Sequence, residues 1–172
     1  MTPAPATFRA ARPDDAPALA ALAAETFPLA CPPSTTAEAI AEHIATVLSE
    51  DAIRAWITAE TSTVVVTELD DALVAYALVV TGPCAHEGAA EVLAGAGIGT
   101  TRIHELSKIY ALPRTQGTGV AGRLLEESLR MAQRAHGTTA TWLGTNALNM
   151  RAQAFYRRHG FLEVGRRTYM VG

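Results

Sequence analysis

The chain has two cysteines and no long basic or apolar run, and each scarcity closes off a class of protein. Cys31 and Cys84 stand at no metal-ligand spacing, so the pair reads as reduced thiols rather than a zinc site or a disulfide framework. His43, His86, His104, His136 and His159 are scattered and supply no paired ligand set, so no metal is expected. No stretch approaches the roughly twenty uninterrupted apolar residues of a membrane span, and the opening MTPAPATFRA lacks both the basic start and the apolar core of a secretion signal. The expected location is the cytoplasm. Charged residues make up 18% of the chain with a net charge of −3 and no Lys/Arg block, so counterion release from a nucleic acid has no source. A small-molecule partner fits better.

What is present is apolar: 49% of 172 residues, enough for one substantial core and a single domain over 1–172. Thr7 to Ala11 reads as a strand, followed by a helix that Asp14 or Asp15 caps, that carries Leu19, Leu22 and Ala23 inward and that Phe27-Pro28 closes. Ile40, Ile44, Val47 and Leu48 predict a second helix to about Ser49, with a further helical stretch over Asp51 to Trp56. Thr63 to Thr67 and Leu73 to Val80, joined by Asp70-Asp71, predict an antiparallel hairpin. Gly82 to Thr101 reads as a surface excursion with a short helix around Ala89 to Ala94. A strand over Arg102 to Leu112, a long amphipathic helix over Gly117 to His136 ended by Gly137, a strand over Thr138 to Leu143 and a helix over Asn149 to Arg158 follow. Phe161 to Val171 is expected to be terminal β structure with a bend near Gly165.

The sharpest local feature is a strand running directly into Gln116-Gly117-Thr118-Gly119-Val120-Ala121 and then a helix. Glycines there let successive backbone N–H groups point outward where the partial positive charge of the helix end adds to their hydrogen bonds, an arrangement that binds a pyrophosphate. A plain helix start would look similar. Val120-Ala121 in place of its Lys-Ser/Thr argues against a Walker A loop and makes a nucleotide hydrolase a remote third reading. Gly117, Gly119 and Gly122 match the Gly-x-Gly-x-x-Gly of a dinucleotide site, but the preceding elements are not a βαβ start.

These residues resemble the GCN5-related N-acetyltransferase (GNAT) superfamily, whose pyrophosphate loop reads Gln/Arg-x-x-Gly-x-Gly/Ala; Gln116, Gly119 and Ala121 match it in register. A second family pattern, Asn-x-x-Ala-x-x-Phe-Tyr-x-x-x-Gly-Phe, is matched by Asn149, Ala152, Phe155, Tyr156, Gly160 and Phe161. The opening Phe8 to Asp15 is similar to the family's first strand and helix start, and Glu105 to Tyr110 with Trp142-Leu143-Gly144 resembles a bacterial subgroup that includes polyamine acetyltransferases.

The resemblance implies an α/β (α+β) fold with a mixed, mostly antiparallel sheet splayed between its fourth and fifth strands and flanked by helices on both faces. It implies acetyl-CoA as cosubstrate, lying as a pseudo-strand against Ile109, Tyr110, Ala111 and Leu112, with its pyrophosphate on Gln116, Gly117, Thr118, Gly119, Val120 and Ala121. Asn149 would bond the pantetheine arm besides capping its helix, the Ala111 N–H would hold the oxyanion, and Tyr156 would protonate the leaving thiolate. An alkylammonium with a pKa near 10.4 is neutral in only about one molecule in two thousand at pH 7, so a base is needed, and Glu105 is the candidate. Arg157-Arg158 could meet coenzyme A phosphates, and Lys108 and Tyr110 share one strand face that could approach substrate. Glu25, Glu38, Glu42, Glu50 and Asp51 favour a small cationic amine such as a polyamine. A non-catalytic acyl-CoA sensor and a protein N-terminus as acceptor are the alternatives, and the resemblance also implies a homodimer.

Overall fold

A computed structural model describes residues 5–138 and 140–168. In chain order it contains β1 (Thr7–Ala10), a 3-10 turn (Pro13–Asp15), α1 (Ala16–Ala30), α2 (Ala37–Thr46), α3 (Glu50–Thr58), β2 (Ser62–Leu69) and β3 (Ala72–Gly82). These are followed by α4 (Glu87–Gly95), β4 (Ile103–Ala111), a 3-10 turn (Pro113–Thr115), α5 (Val120–His136), β5 (Thr141–Trp142) and α6 (Met150–Arg158). The five strands form one sheet in the order β1-β2-β3-β4-β5, antiparallel except for the parallel β4/β5 pair.

The central hairpin follows from β-branched residues on both sides of a tight turn. Asp70 and Asp71 both adopt positive φ, 50° and 61°, the left-handed conformation that a two-residue hairpin turn demands and that Asp tolerates. Both faces of this hairpin are covered, which is why its strands read as apolar runs without alternation. Val64, Val66, Val74, Tyr76 and Leu78 pack with Leu19, Leu22 and Ala23 of α1 and Ile53 of α3. Val65, Ala75, Ala77 and Val79 pack with Val120, Leu124, Leu125 and Ala132 of α5 on the opposite face.

Several boundaries differ from the sequence expectation for identifiable reasons. Pro28 does not close α1, which continues to Ala30 and stops only at Cys31, ahead of Pro32 and Pro33. The Asp15 carboxylate does not cap α1; it accepts from the Arg12 N–H at 2.7 Å and from Arg9, whose guanidinium also reaches Glu68. Arg9 thereby ties β1, the 3-10 turn and β2 together and holds the Asp15 carboxyl below its usual range. The Gly82 to Thr101 segment is more than an excursion, because Ala89 and Leu93 of α4 are buried with Ile103 and Trp142 in a third small core. Of the strand expected over Thr138 to Leu143, the described residues carry Thr141–Trp142, and Thr139 lies outside them. Residues 161–168 carry no strand, and the remainder of that expected terminal β structure, 169–171, lies outside the described residues.

Candidate active site

The site grows from the unequal pairing of β4. On one side β3 follows it as far as Ala111; on the other, β5 pairs only with His104 and Glu105, through Thr141 and Trp142. Among the described residues, that second edge has no strand partner from Leu106 to Ala111. A bulge falls at Ser107, since Leu106 faces Val79 while Lys108 already faces Leu78. Beyond it the Leu112 N–H donates to Val74 O at 2.9 Å, so alternation turns the polar groups of Leu112 and Tyr110 toward β3 and the N–H and C=O of Ile109 and Ala111 toward the open edge.

His104, one of the histidines that looked incidental in the sequence, holds the closed end of this fork. Its side chain is buried, with Nδ1 2.8 Å from Thr81 Oγ1 and Nε2 2.9 Å from Thr138 O, while its backbone N–H donates to Ala140 O. A neutral ring satisfies both contacts with the Thr81 hydroxyl donating to Nδ1 and the Nε2–H donating to the carbonyl, and burial, which pushes its pKa down, favours that form. No spacing rule singles out such a residue; its role exists only once β3, β4 and the entry to β5 lie side by side.

At its far end β4 runs through Leu112 and the 3-10 turn into the glycine loop. Thr115 is buried and its Oγ1 donates to Leu112 O at 2.7 Å; the Thr118 hydroxyl donates to Thr115 O, closing the turn. Gly117 and Gly119 sit at φ +76° and +80°, and Gly119 is the residue before the first turn of α5. The leading N–H groups of that 17-residue helix have no acceptor within it, and no acidic side chain stands in its first turn. Gln116 to Gly119 are exposed, whereas the Val120 side chain is in the core and its N–H donates to Thr118 Oγ1 at 3.4 Å. Gly122 has a separate reason: a Cβ there would lie 2.8 Å from the His159 ring, so this third glycine permits α5 to approach the end of α6. Leu112 is fully engaged, with its N–H on Val74, its C=O accepting from Thr115 and its side chain buried against α1.

Helix α6 brings up the remaining residues. Asn149 Oδ1 accepts from the Ala152 N–H at 3.0 Å as its cap, leaving the amide NH2 unused by that contact. Tyr156 is half-buried in the same apolar cluster as Ile109, Ala111, Phe155 and Phe161, with its ring centroid 5.7 Å from that of Phe161. Burial, assisted by the neighbouring Tyr110 phenol, pushes its pKa up to about 12. The Arg157 guanidinium lies 3.9 Å from the Glu163 carboxylate, and Arg158 is exposed.

Glu105 stands on the opposite face of β4, its Oε1 3.4 Å from His86 Nε2. That face also carries Lys108 and Tyr110, with Tyr110 stacked on Tyr76 at 5.6 Å. The two candidate catalytic side chains are therefore on different sides of the strand, Tyr156 toward α5 and Glu105 toward α1 and α3, and the open edge of β4 lies between them.

The sequence pattern of the acetyltransferase (GNAT) family matches residues 21–161. An uncharacterised N-acetyltransferase of Mycobacterium bovis, and likewise those of two Mycobacterium tuberculosis strains, is 37% identical over 158 residues, covering 92% of this chain and 90% of the relative. Among solved structures, the PaiA N-acetyltransferase of Thermoplasma acidophilum in complex with coenzyme A superposes with a TM-score of 0.74 at 16% identity, covering 92% of this chain and 91% of that one. Aminoglycoside N-acetyltransferase AAC(6')-Iy in complex with CoA gives 0.72 at 15% identity over 100% of this chain and 97% of that one, a likeness of fold. A sheet forked between its fourth and fifth strands, a glycine turn at the head of α5 and the family pattern over most of the chain lead to one conclusion: the chain belongs to the GNAT acetyltransferase family, and the protein is an acyltransferase.

Proposed function

We propose that the protein transfers the acetyl group of acetyl-CoA to a primary amine by direct attack within a ternary complex. The observation that carries this reading is the open edge of β4 leading without slack into the Gly117 and Gly119 turn at the head of α5. The outward N–H and C=O groups of Ile109 and Ala111 suit a pantetheine arm laid alongside as an added strand, and the loop N–H groups suit its pyrophosphate. The Ala111 N–H is then the donor for the oxyanion as the thioester carbonyl turns tetrahedral, and the free amide NH2 of Asn149 is a further donor to the arm.

The amine attacks as a free base, and holding it neutral at pH 7 costs about 4 to 5 kcal/mol for an unperturbed alkylammonium. Glu105 takes that proton, directly or through one water, and His86 at 3.4 Å offers it an onward acceptor. As the C–N bond forms and the C–S bond breaks, Tyr156 protonates the departing sulfur. A site that lowers the tyrosine pKa was one way to ease that transfer, but burial raises it to about 12. Against a thiol near 8.5, complete transfer to the released thiolate would be uphill by about 5 kcal/mol, and transfer to the still-bonded sulfur more so, so the proton moves in concert with C–S cleavage.

The five carboxylates that favour a small cationic amine, Glu25, Glu38, Glu42, Glu50 and Asp51, are all exposed, so they support attraction to the mouth of the site rather than contact within it. With this reading go a single cytoplasmic domain and a homodimer; exposed Leu148, Leu162 and Val164 support the latter, and light scattering tests it. The direct experiment follows thiol release from acetyl-CoA across polyamines, aminoglycosides, amino acids and short peptides, with Tyr156→Phe in parallel. Turnover that falls at least tenfold in the variant supports the reading. Coenzyme A binding without turnover of any amine replaces it with a sensor of acyl-CoA.

A further inference from the structure

The acceptor side of the fork contains a cation with no ion-pair partner among the described residues. Lys108 lies three residues beyond Glu105, where β5 has already left β4, and its side chain turns toward α1 and α3. Its Nζ makes no hydrogen bond or ion pair among the described residues; its recorded contact is the face of Trp56, 5.3 Å from the ring centroid. An ammonium withdrawn from water without a counter-ion is unfavourable, and burial accordingly pushes the Lys108 pKa down.

The surroundings do not relieve it. On α2, His43 is stacked on Phe27 of α1 with centroids 4.2 Å apart and planes 9° from parallel, and its pKa is lowered by burial and then by Lys108 itself. Across the sheet, the partner of Lys108 is Leu78. Glu105 is the carboxylate whose charge reaches Lys108, and that carboxylate also faces His86. The result is a half-buried cation in an aromatic wall built by Phe27, His43 and Trp56, set where an acceptor must enter to reach the open edge.

We propose that Lys108 is the recognition point for a carboxylate on the acceptor, so that the amine acetylated here belongs to a carboxylate-bearing molecule, an amino acid or the like, and is not a polycation. The inference rests on the transferase reading of the same site and narrows it. An incoming carboxylate supplies the missing counter-charge and forms a charge-assisted hydrogen bond with the ammonium. A second ammonium at the same place meets repulsion from Lys108 instead, whatever attraction the outer carboxylates exert at longer range. Trp56 and the Phe27/His43 stack supply apolar surface for the body of the molecule.

The test uses acceptors matched in length that differ at one end: 4-aminobutanoate, butylamine and 1,4-diaminobutane, together with phenylalanine and its amide. The wild-type enzyme is compared with Lys108→Met, which keeps the stem over Trp56, and Lys108→Arg, which keeps the charge. Turnover is followed with acetyl-CoA, and binding is measured separately by calorimetry in the presence of coenzyme A. The expected result is a preference of at least tenfold for the carboxylate member of each set, lost in Lys108→Met, largely retained in Lys108→Arg, and expressed mainly in KM. A Lys108-dependent carboxylate preference in binding without turnover sustains the inference while removing the transferase reading. A preference for 1,4-diaminobutane, or no Lys108-dependent preference for the carboxylate in either measurement, overturns the inference even if amines are acetylated.

Discussion

The two faces of β4 are built by different means. Toward α5 the site is mostly backbone, with Asn149 and Tyr156 as its side chains: the outward groups of Ile109 and Ala111, the left-handed Gly117 and Gly119, and the leading N–H groups of a helix end. Toward α1, α2 and α3 it consists of side chains, Phe27, His43, Trp56, Glu105, Lys108 and Tyr110, delivered by four separate elements. Backbone geometry is indifferent to most substitutions, whereas a wall of side chains is re-drawn by any of them. On the proposed reading, the coenzyme half is thus suited to an invariant ligand and the acceptor half to a particular one.

Substitutions should separate the halves. The largest expected effect is on Tyr156→Phe, which removes the acid without disturbing its aromatic packing. It should lower kcat by about a hundredfold while leaving acetyl-CoA affinity within a few-fold, as read from steady-state kinetics and coenzyme A calorimetry. An equal loss in both would make Tyr156 a packing residue. Gly119→Ala places a Cβ at φ +80°, a conformation costing roughly 1–2 kcal/mol, so coenzyme A should bind about tenfold more weakly with the acceptor KM unchanged. A matching change in acceptor KM would mean that the halves are not separable.

Thr81→Val removes the hydroxyl on His104 Nδ1 at the closed end of the fork, leaving a buried nitrogen unsatisfied. A loss of about 1–3 kcal/mol in denaturant unfolding is expected. The pH dependence is smaller per unit. Because His104 stays neutral in the folded protein below its ordinary value of 6.5, the unfolded chain takes up the proton first. Stability should therefore fall as pH drops through about 6.5, by no more than about 1.4 kcal/mol per pH unit from this group, and His104→Gln should flatten that part of the profile. In activity the alkaline limit of an ordinary phenol moves up: with Tyr156 raised to about 12, kcat/KM should climb with pH as the amine loses its proton, without an alkaline decline from tyrosine near pH 10.

The order of elements, the central hairpin, the long α5 and the glycine turn were all legible in the sequence, because each depends on near neighbours in the chain. β-branched runs flanking Asp70-Asp71 can hardly form anything but a hairpin, and a strand running into Gly117 and Gly119 ahead of an amphipathic stretch marks a helix end open to an anion. The extent of β5, by contrast, was overestimated, since its Thr/Trp run carries good strand propensity but finds only two partners on β4. Gly122 matched a dinucleotide fingerprint and proved to be a packing glycine beneath His159, a distinction that requires knowing what lies across from it.

By itself, then, the sequence determined the strand end, glycine turn and helix start over Ile109 to Ala121, consecutive residues whose backbone conformation local chemistry dictates. Only the tertiary structure decided the acceptor half and the hinge of the fork. Lys108 is an ordinary strand lysine until its ammonium lies over Trp56 and β5 turns away, and His104 is an unremarked histidine until Thr81 and Thr138 close on its two nitrogens. Burial and long-range pairing set the charge state of such groups, and neither is a property of residues adjacent in the chain.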